Sequence, residues 1–277
     1  MGDHQDRLAG LRAQYLERDD TSDPGGRIYR DKCTGEIFHS CTRILSATAP
    51  EAQKKALERW QQQPGSIETR DQAAYRGTAM HNHAEYILKI AQRLARSTAN
   101  KRNSWKVGED GLFRAPKAVT KWALEKAIQG APSVAWSASG YARGLRGWIL
   151  DNVTAIHAVE FFGHHPAGFA GACDALIDID GKGPFICDWK TTGKSIHASN
   201  ESQLSQYRDQ TGAYSLMLRH LTGIQAVGGA VVVSRRSGAP TVELLDLDQL
   251  QSASGRFLGR CEVYFDELHQ QLNAGTS

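Results

Sequence analysis

The sequence is poor in cysteine and clusters none of it. Cys33, Cys41, Cys173, Cys187 and Cys261 are odd in number, scattered, and never spaced C-x-x-C. That argues against a structural zinc or a disulfide framework. No apolar run reaches the roughly 18 residues that a membrane span needs. Met1 to Asp20 is polar and lacks the apolar core of a signal peptide. A cytoplasmic location, with no membrane partner, is therefore expected. Charge of one sign is also missing: 33 Lys and Arg against 30 Asp and Glu leave +3 at pH 7, too little to demonstrate a nucleic-acid partner. There is no G-x-x-x-x-G-K-[ST] phosphate loop, so any strand separation must come from elsewhere. Internal repeats and low-complexity tracts are absent as well.

What is present is ordinary for a globular protein. At 40% hydrophobic and 23% charged residues, 277 residues can bury one large core or two modest ones. The basic residues are unevenly placed. Between Lys89 and Lys126 ten of them, Arg114 included, face only Glu109, Asp110 and Glu125. Such a stripe either attracts phosphates or forms solvated helix faces.

The densest chemistry lies in Gly171-Ala172-Cys173-Asp174-Ala175-Leu176-Ile177-Asp178 and Phe185-Ile186-Cys187-Asp188-Trp189-Lys190-Thr191-Thr192. Each reads as an apolar strand carrying a carboxylate that the strand does not need. Asp180-Gly181-Lys182-Gly183-Pro184 between them is turn chemistry, so the pair is a predicted β-hairpin. A hairpin sets Asp174 beside Asp188, and alternation puts Lys190 on the face of Asp188. Cys173 and Cys187 are then expected together on the opposite face as small hydrophobes. An isolated D-x-K is usually a solvated salt bridge. Here large apolar neighbours place the strands inside, where carboxylates need a partner or a metal. Two carboxylates and an ammonium suit a hard divalent cation.

Along the chain, Leu8, Leu11, Tyr15 and Leu16 recur at helical spacing, and residues 1–26 are expected to be a flexible, weakly helical arm. Arg27 to Ser40 alternates as a hairpin, followed by a short helix over Ser40–Leu45 and a helix over Glu51–Gln62. Asp71 is the expected cap of a long helix through His81 to about Ala95. His81 and Glu85 share a face of that helix, whereas His83 points elsewhere. Asn100 to Pro116 reads as polar and irregular, and Ala118 to Ile128 as a helix. Ser133 to Ile149 interleaves Trp136, Tyr141 and Trp148 with Arg143 and Arg146, which suits either base stacking on a single strand or a packing edge. Beyond Val153 the predicted order is β-β-β-α-β-β-α. Glu160 is the inward candidate of the first strand, and the helix from Glu201 carries Gln203/Tyr207 and Gln210/Tyr214. The fold class is α/β, a mixed sheet flanked by helices. Residues 27–150 form a mostly helical region and 151–277 the core of one globular unit.

Gly77-x-x-x-His81, Glu160, Gly171-x-x-Asp174, Asp188-Trp189-Lys190-Thr191 and Gln210-x-x-x-Tyr214 together resemble the PD-(D/E)xK nuclease superfamily, in particular its RecB-like exonuclease branch. Ser40 to Leu45 and Leu57-Glu58-Arg59-Trp60 look like the group of the mitochondrial genome maintenance exonuclease and its bacterial and phage relatives. The resemblance spans roughly residue 40 to the C-terminus. It implies a restriction-endonuclease-like core and a DNA exonuclease acting on single-stranded or free ends, in a bacterial or phage-infected cell. DNA repair or recombination is the implied setting, with a single-stranded-DNA-binding or recombination protein as a partner. Asp174, Asp188, the Trp189 carbonyl, His81 and Glu160 would hold Mg²⁺ (or Mn²⁺). Lys190 would position the attacking water, supported by Gln210 and Tyr214. DNA contacts are expected from Arg143, Arg146, Thr191, Lys194, Gln203 and Tyr214. The iron-sulfur cluster of some relatives is not expected, because its clustered cysteines are missing. The competing readings are an inactive single-stranded-DNA-binding module of this fold and a metal-assisted phosphohydrolase of small substrates.

Overall fold

A computed structural model describes residues 8–12, 15–23, 25–192 and 201–274. In chain order the elements are α1 (Ala9–Arg12), β1 (Leu16–Asp19), β2 (Ile28–Asp31), β3 (Ile37–Ser40), α2 (Cys41–Ala47), α3 (Glu51–Gln61) and α4 (Ser66–Arg102). There follow β4 (Lys106–Val107), β5 (Phe113–Arg114), α5 (Lys117–Gln129), α6 (Trp136–Asn152), β6 (Val153–His165), β7 (Phe169–Ile179) and β8 (Lys182–Thr191). Then come α7 (Glu201–Thr222), β9 (Gly228–Ser234), β10 (Thr241–Leu245) and α8 (Leu247–Ala274).

The main sheet runs β1-β2-β3-β7-β8-β9-β10, with β6 paired along β7. It is mixed: β3 lies parallel to β7 and β9 parallel to β8, while the other pairs are antiparallel. Helices cover both faces, which makes the molecule a layered α/β protein. On one side Met80, Ile87 and Leu88 of α4 pack with Leu124 of α5, Leu145 of α6 and Trp189 and Val232 of the sheet. On the other side Met217 and Leu218 of α7 and Phe257 of α8 pack on Leu176 and Ile186. Strand β9 is buried along its whole length, as its unbroken apolar run requires.

The sheet is interrupted at one point, and that point makes the site. Strand β3 pairs with β7 only at Phe169 and Ala170. On the same chain, β8 begins to pair only at Ala175, opposite Cys187. Gly171 to Asp174 lie between these two partners. There β7 and β8 splay, and the Asp174 carboxylate replaces the missing ladder bond by accepting from the Trp189 backbone N–H at 2.6 Å.

Several local expectations are corrected. Leu16–Asp19, expected in a weakly helical arm, is a strand paired to β2. Leu8 and Leu11 are buried in the α7-side core. Asp71 does not cap α4, which begins five residues earlier at Ser66. Gly65, at φ 78°, turns the chain directly from α3 into α4, so no separate cap is needed. The supposedly irregular Asn100–Pro116 contains the β4–β5 hairpin. Cys187 sits in the α4-side core and Cys173 in the α7-side core, so the two do not share a face. Cys187 pairs with Ala175 and shares its face, but the alternation of β7 breaks between Ala175 and Cys173, beside the left-handed Glu160 of β6. The expected loop over 193–200 lies outside the described residues.

Candidate active site

The gap in the sheet opens into a cleft of about 400 Å³. Its floor is Gly171, Ala172 and Asp174 of β7 with Asp188 and Lys190 of β8. Helix α4 contributes Ala74, Gly77, Thr78, His81 and Asn82, α7 contributes Gln210 and Tyr214, and β6 contributes Glu160. Residues 74, 77, 78 and 81 recur at helical spacing, so one face of α4 forms a wall.

Asp174 is almost wholly enclosed and bound at both oxygens. His81 Nδ1 lies 2.9 Å from its Oδ1, and Oδ2 takes the Trp189 N–H. Burial pulls the imidazole towards neutrality, but the Asp174 charge outweighs it and holds the His81 pKa above its usual value. Asp188 is buried, and its Oδ2 lies 2.6 Å from Lys190 Nζ. That oxygen nevertheless accepts no directed hydrogen bond among the described residues. Burial raises the Asp188 pKa; the Lys190 ammonium opposes the shift, and the nearby Asp174 charge adds to it. Lys190 is also buried, yet Asp188 and Asp174 keep its pKa above the usual range, so it stands as an ammonium.

Lys190 is held from the α7 side. Its Nζ donates to Gln210 Oε1 at 3.0 Å, and Gln210 Nε2 donates to Tyr214 Oη at 2.5 Å. The Tyr207 ring lies 5.2 Å from Nζ, and Gln203 Nε2 donates to Tyr207 Oη at 2.6 Å. Both Gln/Tyr pairs therefore serve the same lysine, one by hydrogen bond and one through an aromatic face. Gly171 makes room for this: a Cβ there would meet Tyr214 Cε1 at 2.8 Å and Cys41 Sγ at 3.1 Å.

Glu160 is the strained member. It has φ 46°, a left-handed conformation that costs a non-glycine residue about 1–2 kcal/mol. Its neighbours Val159 and Phe161 pair with Ala175 and Cys173, which sets Glu160 opposite Asp174. Burial, then the Asp174 charge, pushes its pKa up to about 7. Three carboxylates thus share one cleft with a single ammonium.

A family model described as the PD-(D/E)XK nuclease superfamily matches residues 10–275. The chain belongs to that superfamily. No curated protein matches the chain. Membership makes it a nuclease-type phosphodiesterase with DNA as the implied substrate, from a superfamily that generally uses divalent metals. No helix among the described residues is long and apolar enough to cross a membrane.

For a PD-(D/E)XK nuclease the donor chemistry fits a hard cation: carboxylate oxygens from adjacent strands, one of them buried without a directed hydrogen bond. Among the described residues no three His, Cys, Asp or Glu side chains stand ready as a metal-holding group. His81 and Lys190 instead hold Asp174 and Asp188 directly. Sequence reasoning brought Asp174, Asp188, Lys190, His81, Glu160, Gln210 and Tyr214 to this cleft, and all seven line it. Thr191 ends β8 near α4, where a Cβ at Gly77 would lie 3.6 Å from its Oγ1. Arg143 lines a different groove, and Arg146 is absent from the cleft lining. Lys194 lies outside the described residues. Missed were Arg18 and Arg27, which line the cleft and both bond to Asp20. Arg27 opens the predicted hairpin, but no spacing in the sequence ties it to residues so far along the chain.

Proposed function

We propose that this chain is a metal-dependent DNA exonuclease of the RecB-like branch, acting from single-stranded ends. The observation that carries the reading is the excess of buried carboxylate in a cleft whose lysine is held from two sides. Asp174 and Asp188, with Glu160, His81 and the Trp189 carbonyl, are the residues that would hold Mg²⁺ or Mn²⁺. A bound divalent ion supplies Lewis acidity and lowers the pKa of water. Lys190, fixed by Gln210 and lying over Tyr207, stabilises negative charge developing on the phosphate from a position that needs no reorganisation. Glu160, with its pKa near neutrality, can take up or release a proton at the carboxylate facing Asp174. His81 orients the Asp174 carboxylate through Nδ1, and Thr191, Gln203 and Tyr214 are the residues that would contact a strand entering the cleft. Repair or recombination is the proposed setting, with a single-stranded-DNA-binding or recombination protein supplying the strand.

The test is digestion of an end-labelled single-stranded oligonucleotide beside the same sequence closed into a circle, with Mg²⁺ and with EDTA. Loss of the linear form alone, abolished by EDTA, is expected. Cutting of the circle would replace the exonuclease reading with an endonuclease. Salt-dependent binding without any product would leave a binding module only.

A further inference from the structure

Helix α4 presents two functional faces. Ala74, Gly77, Thr78 and His81 face the cleft, while Asp71, Gln72, Tyr75 and Arg76 line a neighbouring groove with Ser137 at the start of α6. At 100° per residue these stripes are adjacent faces of one helix. Next to Ser137 stands Trp136, 82% exposed and the most exposed large apolar side chain among the described residues. Among the described residues its ring meets one cation, the Arg236 guanidinium at 5.4 Å. A further groove then runs along α6, lined by Arg143, Trp148 and the β9–β10 turn that carries Arg236.

The arrangement is built. The turn is seated on a row of small residues: a Cβ at Gly140 would fall 1.9 Å from the Arg236 carbonyl oxygen, and one at Gly144 3.3 Å from that of Gly238. Arg236 is thereby fixed beside Trp136. At the inner end Trp148 packs edge-on against Trp189, the middle residue of Asp188-Trp189-Lys190, with centroids 5.8 Å apart. Arg76 lies 5.9 Å from the Tyr141 ring. Arg76, Arg143 and Arg236 have no carboxylate partner among the described residues. The acids nearby are otherwise engaged or distal: Asp71 pairs with Arg70, Glu68 accepts from Gln72, and Asp151 sits at the far end of the groove.

We propose that Trp136 and Arg236, flanked by Tyr75, Arg76 and Arg143, form a stacking track that holds single-stranded DNA outside the cleft. Exposed rings that alternate with unpaired guanidinium groups meet the two repeating features of a single strand, a flat base and a phosphate. The inference rests on the reading of the cleft as a DNA nuclease site, and it adds where the rest of the strand lies.

The full chain is assayed on single strands of increasing length, and binding is followed by fluorescence anisotropy with Ca²⁺. For Trp136→Ala, KM on strands of about 20 nucleotides should rise roughly tenfold, the loss expected for one stacked base. The fall of KM with strand length should flatten, and Trp136→Phe should restore most of it. Arg143→Ala with Arg236→Ala should lower the salt dependence of binding by about one to two counterions. A wild-type length dependence in Trp136→Ala overturns the track while leaving the nuclease reading intact. If the wild type cuts no DNA, the nuclease reading falls, and anisotropy decides the track: tenfold weaker binding by Trp136→Ala supports it, equal binding overturns it. A change in oligomeric state alone, or equal loss on RNA and DNA with no length dependence, also overturns it.

Discussion

Strand β7 carries two buried aspartates four residues apart, and they live in opposite worlds. Asp178 is saturated. His157 Nε2 lies 2.7 Å from its Oδ1, Arg114 Nε donates to Oδ2 at 2.5 Å, and Arg114 Nη2 reaches Oδ1 at 3.2 Å. Arg114 is shared with Asp110 at 2.7 Å, and α4 steadies the group by a bond from Gln92 to the His157 carbonyl. Burial raises the Asp178 pKa, but these partners outweigh it and hold the group below the usual carboxylate range. Around Asp174 the balance is reversed: Asp188 and Glu160 crowd the same cleft and both titrate above their ordinary values. The same strand thus holds a charge network that locks the fold and one left short of positive charge. Counting positive groups per carboxylate separates them.

Asp188 is where the two networks should differ most. Asp188→Asn removes a proposed ion-holding oxygen while keeping the shape, and cleavage should fall at least about a thousandfold with circular dichroism and melting unchanged. Residual activity within tenfold of wild type would show that the crowded carboxylates are structural like Asp178. The mirror experiment is Arg114→Met. It leaves Asp178 buried with only His157, and stability should drop by about 3 kcal/mol in urea titration. Cleavage per folded molecule should stay at the wild-type level. An activity loss that outruns the unfolding would mean that the two networks are coupled.

Glu160 sets the two networks apart in their response to pH. Its folded pKa is raised from 4.5 to about 7, so the folded state binds more protons than the unfolded state between those values. Stability of the metal-free protein should therefore fall as pH rises through that window, the opposite of the contribution from Asp178. Below about pH 4 the Glu160→Gln variant should match the wild type. At pH 8 in EDTA it should be more stable by about 2 kcal/mol, a figure discounted for partial exposure. Parallel pH–stability curves would place Glu160 in water.

The two networks also differ in how well the sequence reveals them. Asp174, Asp188 and Lys190 are legible because apolar alternation, a glycine-proline turn and a two-residue spacing are all local. His81, Gln210 and Tyr214 could be joined to them only through the family pattern, since nothing local says which helix crosses which strand. The Asp178 network went unseen for that reason. Its arginine lies 64 positions away, inside what reads as a basic stripe, and its hairpin strands have two residues each. The left-handed Glu160 backbone leaves no mark in the sequence, because glutamate is not a residue that prefers it. The interleaved Arg143 and Arg146 read as strand contacts, yet neither lines the cleft and Arg143 lines another groove, because helical periodicity cannot say what a helix faces.

The smallest effect separates positioning from contact within the cleft. Lys190 keeps Asp188 and the Tyr207 ring when Gln210 is cut to alanine, so its charge remains and only its aim is loosened. One hydrogen bond to a charged group is lost, and kcat should fall about tenfold with KM nearly unchanged. Tyr214→Phe acts one bond further out, through the Gln210 amide, and should cost less, about two- to threefold in kcat. A rise in KM instead of a fall in kcat would put Gln210 on the strand itself. The lysine would then owe its position to Asp188 and Tyr207 alone, and the α7 side of the cleft would be a DNA surface and not a brace.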